Sequence, residues 1–88
     1  MKVEFKSSFV RDLERVDDRR LRARVKHVIG RIEGAANLQG IEAIKKLRGA
    51  EQYYRIRIGE YRLGLILEGD KVVFVRFLHR KEVYRYFP

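Results

Sequence analysis

The sequence predicts a small α+β domain: an N-terminal strand, an antiparallel helical hairpin, then an antiparallel strand meander forming one small sheet. Three observations carry this. Apolar residues recur at three- and four-residue intervals up to Gly34, the period changes to two at Tyr53, and the dipeptides Gly59-Glu60 and Gly69-Asp70 punctuate the second half as turns.

Lys2–Phe5 alternates, with Val3 and Phe5 on one side, and reads as the first strand. Ser7 or Ser8 is expected to cap a helix in which Phe9, Leu13 and Val16 form one stripe. Asp17-Asp18 interrupts the pattern and offers a new cap. A second helix then places Leu21, Val25, Val28, Ile29 and Ile32 on one face and ends near Gly34. Each helix has one apolar stripe to bury, and the short connection predicts that the two pair. Residues 34–52 read as an irregular connector in which Ile41, Ile44 and Leu47 suggest a short helical turn. From Tyr53 onward, Tyr54, Ile56 and Ile58 alternate with Tyr53, Arg55 and Arg57, giving one apolar and one basic strand face. Tyr61–Glu68 is apolar on both sides apart from Arg62 and Glu68, as a central strand should be, and Val72–Leu78 completes the meander. A charged and aromatic tail follows from His79, and the sheet face opposite the helices is expected to be only partly covered. The whole, residues 1–88, is read as one domain, with no internal repeat or linker.

Composition narrows the function. Lysine and arginine number 21 against 12 acids, a net charge of +9. The excess is spread along the chain: residues 1–48 hold 13 basic and 7 acidic side chains, and the remainder 8 and 5. A folded surface this positive attracts polyanions, which favours nucleic acid, the ribosome or an acidic protein. The absence of cysteine excludes disulfides, thiolate metal sites and cysteine nucleophiles. No apolar run is long enough to span a bilayer and no leader is evident, so a cytoplasmic protein without membrane contact is expected. The two histidines, His27 and His79, lie on unrelated elements with no metal-binding spacing, and the glycines form no phosphate loop. No metal or cofactor is expected, and His27 reads as a partly packed surface histidine.

What remains is a set of cations and rings in the second half. Arg55 and Arg57 share the polar face of one strand, Arg62 stands just past the turn, Arg76 interrupts an apolar run, and His79-Arg80-Lys81 follows it. An arginine in an apolar strand needs a partner. That partner is either a phosphate, which guanidinium binds through paired charge-assisted bonds, or one of Glu60, Glu68 and Glu82. Tyr84 and Tyr86 lie in the charged tail and are free to stack on unpaired bases, while Tyr54 and Tyr61 fit the core period. Cations with a tyrosine suffice for one reaction. The 2′-hydroxyl of RNA attacks its own adjacent phosphate when the proton is removed and the developing charge is held.

Lys46-Leu47-Arg48-Gly49, Tyr53-Tyr54-Arg55-Ile56-Arg57-Ile58-Gly59, Tyr61-Arg62-Leu63 and Leu78-His79-Arg80-Lys81-Glu82-Val83-Tyr84 occur here in order. With these pieces the chain resembles the RelE/ParE superfamily of type II toxin–antitoxin toxins, and the archaeal RelE type in particular. The resemblance covers essentially the whole chain and implies a fold similar to small microbial ribonucleases. It further implies a metal-independent endoribonuclease that cuts mRNA in the ribosomal A site by 2′-hydroxyl attack and so inhibits translation. Carried over residue by residue, it assigns catalytic roles to Arg57, Arg62, Arg80 and Tyr84. Arg55, His79, Lys81 and Arg76 then become RNA- or phosphate-binding residues. The tail between Arg80 and Tyr84 is shorter than in the best-known bacterial members, which makes Tyr86 the second candidate aromatic and Lys81 a substitute for Arg80. The glutamate–histidine pair of the YoeB branch is not evident. The implied partners are the ribosome, mRNA and an acidic, partly disordered antitoxin, with the free toxin a monomer and the complex heteromeric. The alternatives are a ParE-like inhibitor of DNA gyrase and a non-catalytic RNA- or protein-binding relative.

Overall fold

The computed structural model describes residues 1–49 and 52–88; residues 50 and 51 of the expected connector lie outside the described ones. The elements run β1 (Lys2–Phe5), α1 (Ser7–Glu14), α2 (Arg19–Gly34), β2 (Ile44–Lys46), β3 (Tyr53–Ile58), β4 (Tyr61–Glu68), β5 (Lys71–His79) and α3 (Val83–Tyr86). The sheet has five strands in the order β1-β5-β4-β3-β2, with β1 parallel to β5 and every other pairing antiparallel. The α+β class and the β3–β4–β5 meander are as the sequence predicts, and β4 is the central strand.

The helix-side core follows from the two periodicities. Phe9, Leu21, Val25 and Ile32 from the helices meet Ile56, Ile58, Leu63, Leu65, Val72, Phe74 and Phe77 from the sheet, all buried. Burying one such side chain contributes about 1.5–3 kcal/mol, so this layer dominates stability. Asp18 caps α2 as expected, its carboxylate accepting from the Leu21 N–H at 3.0 Å. At the other end of α2 the Met1 ammonium donates to the Glu33 and Ala35 carbonyls at 2.8 and 2.9 Å, a cation placed where helix carbonyls lack partners.

Three expectations are corrected. Neither Ser7 nor Ser8 caps α1; Lys6 stands at the cap position without a side-chain bond. Ser8 instead donates to the Val75 carbonyl at 2.6 Å. This belongs to a larger arrangement. β1 pairs with β5 only as far as Phe74, and beyond it α1 lies along the open edge of β5. There the Lys6 N–H, the Ser8 hydroxyl and the Asp12 carboxylate satisfy Phe74 O, Val75 O and Phe77 N in turn. Helix α1 thus serves as an edge cover that protects the strand from further pairing, and its packing is chiefly against β5.

Second, the expected helical turn around Ile41–Leu47 contains strand β2, whose Ile44, Lys45 and Lys46 lie opposite Ile56, Arg55 and Tyr54. Third, the acids proposed for Arg76 are not its partners. Its guanidinium donates to both Asp12 oxygens at 2.7 and 3.1 Å. This hydrogen bond raises the arginine above its ordinary value, so it stays a cation. The charged and aromatic tail packs back onto the domain. Leu78, Val83 and Phe87 form a second buried cluster with Leu47, Tyr53 and Val75 beside it. Phe87 seats directly on Gly64, where a Cβ would lie 2.8 Å from the ring. Gly64 therefore makes room for the C-terminal segment to lie on the sheet face away from α1 and α2.

Candidate nucleic-acid interface

Strand alternation sends Tyr54, Ile56 and Ile58 into the helix-side core, so Tyr53, Arg55 and Arg57 point to the opposite face. Register then decides which cations meet. Arg57 lies directly opposite Arg62, and Lys45 directly opposite Arg55. Like charges in register destabilise an antiparallel pair, and this face carries two such pairs side by side. Among the described residues, no acid lies within ion-pair distance of any of these four side chains.

Arg62 is half-buried. Its guanidinium donates to the carbonyls of Gly59 and Tyr61 at 3.2 and 2.9 Å, so it is oriented by the turn but not neutralised. Gly59 holds φ +60 there, a left-handed geometry that glycine adopts without strain. The Arg80 backbone N–H donates to the Glu60 carbonyl at 2.8 Å, and the Arg80 Nε lies 2.6 Å from the Glu60 carboxylate. The β3–β4 turn thus holds both Arg62 and Arg80. The Arg80–Glu60 ion pair is exposed, and such pairs contribute about 0–1 kcal/mol, so little free energy ties the guanidinium to the glutamate.

The C-terminal segment supplies the rings. Tyr84 is 77% exposed, and the Arg55 guanidinium lies 4.6 Å from its centroid. Beside it lies an open cavity of about 330 Å³ lined by Lys45, Leu47, Arg48, Arg55, Tyr84 and Phe87, with Pro88 at its end. Its lining combines three cations, an exposed ring and apolar side chains, a composition suited to an unstacked base with its phosphate.

Of the sequence-predicted residues, Arg55, Arg57, Arg62 and Tyr84 gather on this face, and Arg80 adjoins it through the turn. Lys81 is exposed, its N–H donating to His79 Nδ1 at 3.1 Å. His79 is opposite Tyr61 in register and packs edge-on against that ring, centroids 5.5 Å apart. Since Tyr61 stacks on the core residue Phe77, His79 sits on the helix side of β5. Arg76 is committed to Asp12, and Tyr86 lies over Arg76, 5.6 Å from ring centroid to guanidinium. Tyr84 and Tyr86 therefore leave α3 toward different cations, Tyr84 toward β3 and Tyr86 toward β5. Two cations of the site, Lys45 and Arg48, escaped sequence reasoning because their segment was read as helical; the signal available was the Lys45-Lys46 pair between Ile44 and Leu47. No group of three or more candidate metal ligands is found among the described residues, and no helix there is long and apolar enough to cross a membrane.

Comparison with known proteins gives the chain a family and its fold close relatives. Residues 3–84 match the family described as ParE toxin of the type II toxin–antitoxin system parDE. The chain is 44% identical to Toxin RelE3 of Methanocaldococcus jannaschii, covering all of both chains. It superimposes with a TM-score of 0.84 and 41% identity on a chain of the RelB–RelE antitoxin–toxin complex from Methanococcus jannaschii, covering 97% of this chain and 99% of that one. A chain of the archaeal RelE–RelB complex from Pyrococcus horikoshii shares the fold, with a TM-score of 0.74 at 18% identity over 90% and 93% of the two chains.

Proposed function

The chain belongs to the RelE/ParE family of toxins of type II toxin–antitoxin systems, and from that premise we propose that it inhibits translation by cutting mRNA in the ribosomal A site. The observation that carries this reading is the unneutralised cation face, with Lys45 opposite Arg55 and Arg57 opposite Arg62. A fold tolerates two like-charge pairs in register when an anion completes them, and a phosphodiester is the anion that two guanidinium groups grip best.

In the proposed reaction the 2′-oxygen forms a bond to the adjacent phosphorus as the bond to the 5′-oxygen breaks. The proton of the 2′-hydroxyl leaves and a proton reaches the departing 5′-oxygen, giving a 2′,3′-cyclic phosphate that water opens to a 3′-phosphate. Arg57 and Arg62 hold the charge that grows on the phosphoryl oxygens. Arg80 joins them by exchanging Glu60 for phosphate, Arg55 holds the neighbouring phosphate, and Tyr84 stacks on the exposed base, where its hydroxyl is also a candidate for the proton transfer. Lys81 adds charge at the rim. No metal enters this chemistry.

The partner that restrains it is an acidic antitoxin. The net charge of +9 supports this reading, as do the relatives solved as antitoxin–toxin complexes. Between α1 and α2 an apolar groove of about 540 Å³, with exposed Phe5 and Val10 and the cations Arg19, Arg22 and Lys26, suits an acidic amphipathic helix.

Primer-extension mapping of a defined mRNA, with and without programmed ribosomes whose A site is empty, tests the reading. Cuts within the A-site codon only when ribosomes are present are expected; an intact message in both samples would overturn it. The match to the ParE family favours one second reading, inhibition of DNA gyrase. Loss of supercoiling activity when the purified protein is added to gyrase would establish that instead.

A further inference from the structure

A second cluster of cations lies away from the sheet face. Arg20, Arg24 and His27 recur on α2 at spacings that stack them along one side of a helix. They line a cleft of about 440 Å³, whose other walls include Glu42, Arg57 and Gly59. Arg24 reaches the β3–β4 turn, since a Cβ on Gly59 would lie 3.2 Å from its guanidinium nitrogen. The residue 42–43 loop is tied to β3 where the Arg57 N–H donates to the Ala43 carbonyl at 3.1 Å.

A basic helix side is ordinarily a solvated surface. These arginines differ from a neighbour with a structural task. Arg22 on the same helix is bonded to the Leu13 and Val16 carbonyls. Among the described residues, Arg20 and Arg24 have neither an ion pair nor a side-chain hydrogen bond, and Glu42 is not within ion-pair distance of either. They stand in a concave wall, where low-dielectric surroundings focus positive potential. Arg57 belongs both to this cleft and to the strand whose polar face carries the RNA site.

We propose that the cleft between α2 and the β3–β4 turn is a second phosphate site, in which Arg20 and Arg24 hold an RNA backbone that continues past Arg57 from the cation face. The inference rests on the reading of that face as an RNA site and extends its footprint around the turn onto α2. The phosphodiester comes either from the mRNA flanking the cut or from ribosomal RNA.

Two probes separate these sources: a short labelled single-stranded RNA followed by anisotropy, and ribosomes with an empty A site followed by co-sedimentation. The double variant R20Q/R24Q is compared with K2Q/R31Q, which removes the same charge from exposed residues outside the cleft. R20Q/R24Q is expected to weaken binding about tenfold more than K2Q/R31Q and to lower the salt dependence by about one to two released counterions. A difference with the free RNA assigns the site to mRNA, and one with ribosomes alone assigns it to ribosomal RNA. Glu42→Gln, which removes an acid from the lining, is expected to tighten the same interaction. Equal behaviour of the two double variants with both probes would overturn the proposal. A selective loss of binding by R20Q/R24Q, in a wild-type protein that cuts no mRNA, would retain the site and discard the cleavage reading.

Discussion

Arg76 and Arg62 stand on neighbouring strands, each half-buried and each an arginine in an otherwise apolar run. Arg76 meets a carboxylate that the fold has built for it: Asp12 is buried, takes both guanidinium bonds, and also accepts from the Phe77 N–H. Arg62 meets two carbonyls and a second arginine in register. The first arrangement gives its cation a matched anion. The second is oriented and electrostatically incomplete. Burial alone did not separate them; the presence or absence of a matched anion did.

The comparison can be broken from either side. The largest effect is expected at Asp12. Asp12→Ala leaves a guanidinium and a strand N–H without their partner, and breaking a buried pair from one side destabilises by about 3–5 kcal/mol. Chemical denaturation should show that loss, with the activity of each remaining folded molecule unchanged. A stability within about 1 kcal/mol of wild type would mean that the pair is not the edge clamp described. Arg62→Gln should behave in the opposite way. In the proposed role Arg62 acts on transition-state charge, and removing such a donor lowers the rate by about 10²–10³, while relief of the repulsion from Arg57 leaves the melting temperature equal or slightly higher.

Gly64→Ala comes next. The added methyl meets the Phe87 ring, and overpacking of this kind costs about 1–3 kcal/mol. The expected result is a displaced C-terminal segment, read as protease sensitivity after Val83, with cleavage impaired because Tyr84 loses its place beside Arg55. Tyr84→Ala against Tyr84→Phe gives the smallest and sharpest contrast. An exposed cation–ring contact is worth about 0.5–1 kcal/mol, so neither variant should unfold the protein. If Tyr84 only stacks, phenylalanine restores the activity that alanine removes; if its hydroxyl moves a proton, phenylalanine fails as alanine does.

The parts of this arrangement that sequence reasoning reached share one property: they are written in local periodicity. Leu21, Val25 and Ile32 repeat at helical intervals, and Ile56 and Ile58 alternate with Arg55 and Arg57, so the core face and the cation face were both visible. What was hidden depends on partners distant in the chain. Asp12 carries no local signal on α1, because its two partners lie 64 and 65 residues away. Ile41, Ile44 and Leu47 have helical spacing, yet the exposed edge of β3 claims Ile44–Lys46 as a strand, and Lys45 enters the site with it. Tyr84 and Tyr86 are two residues apart in a charged tail, and sequence reasoning ranked Tyr86 only as the second candidate. The short helix α3, anchored by Val83 and Phe87, sends them to different arginines.

The most direct test joins rate and stability at one residue. Single-turnover cleavage of a programmed message by Arg62→Gln, measured beside its thermal unfolding, should give a rate at least about 100-fold below wild type with an undiminished melting temperature. Cleavage at the wild-type rate, or a loss of rate accounted for by unfolded protein, would contradict the claim that this unmatched arginine is kept for RNA.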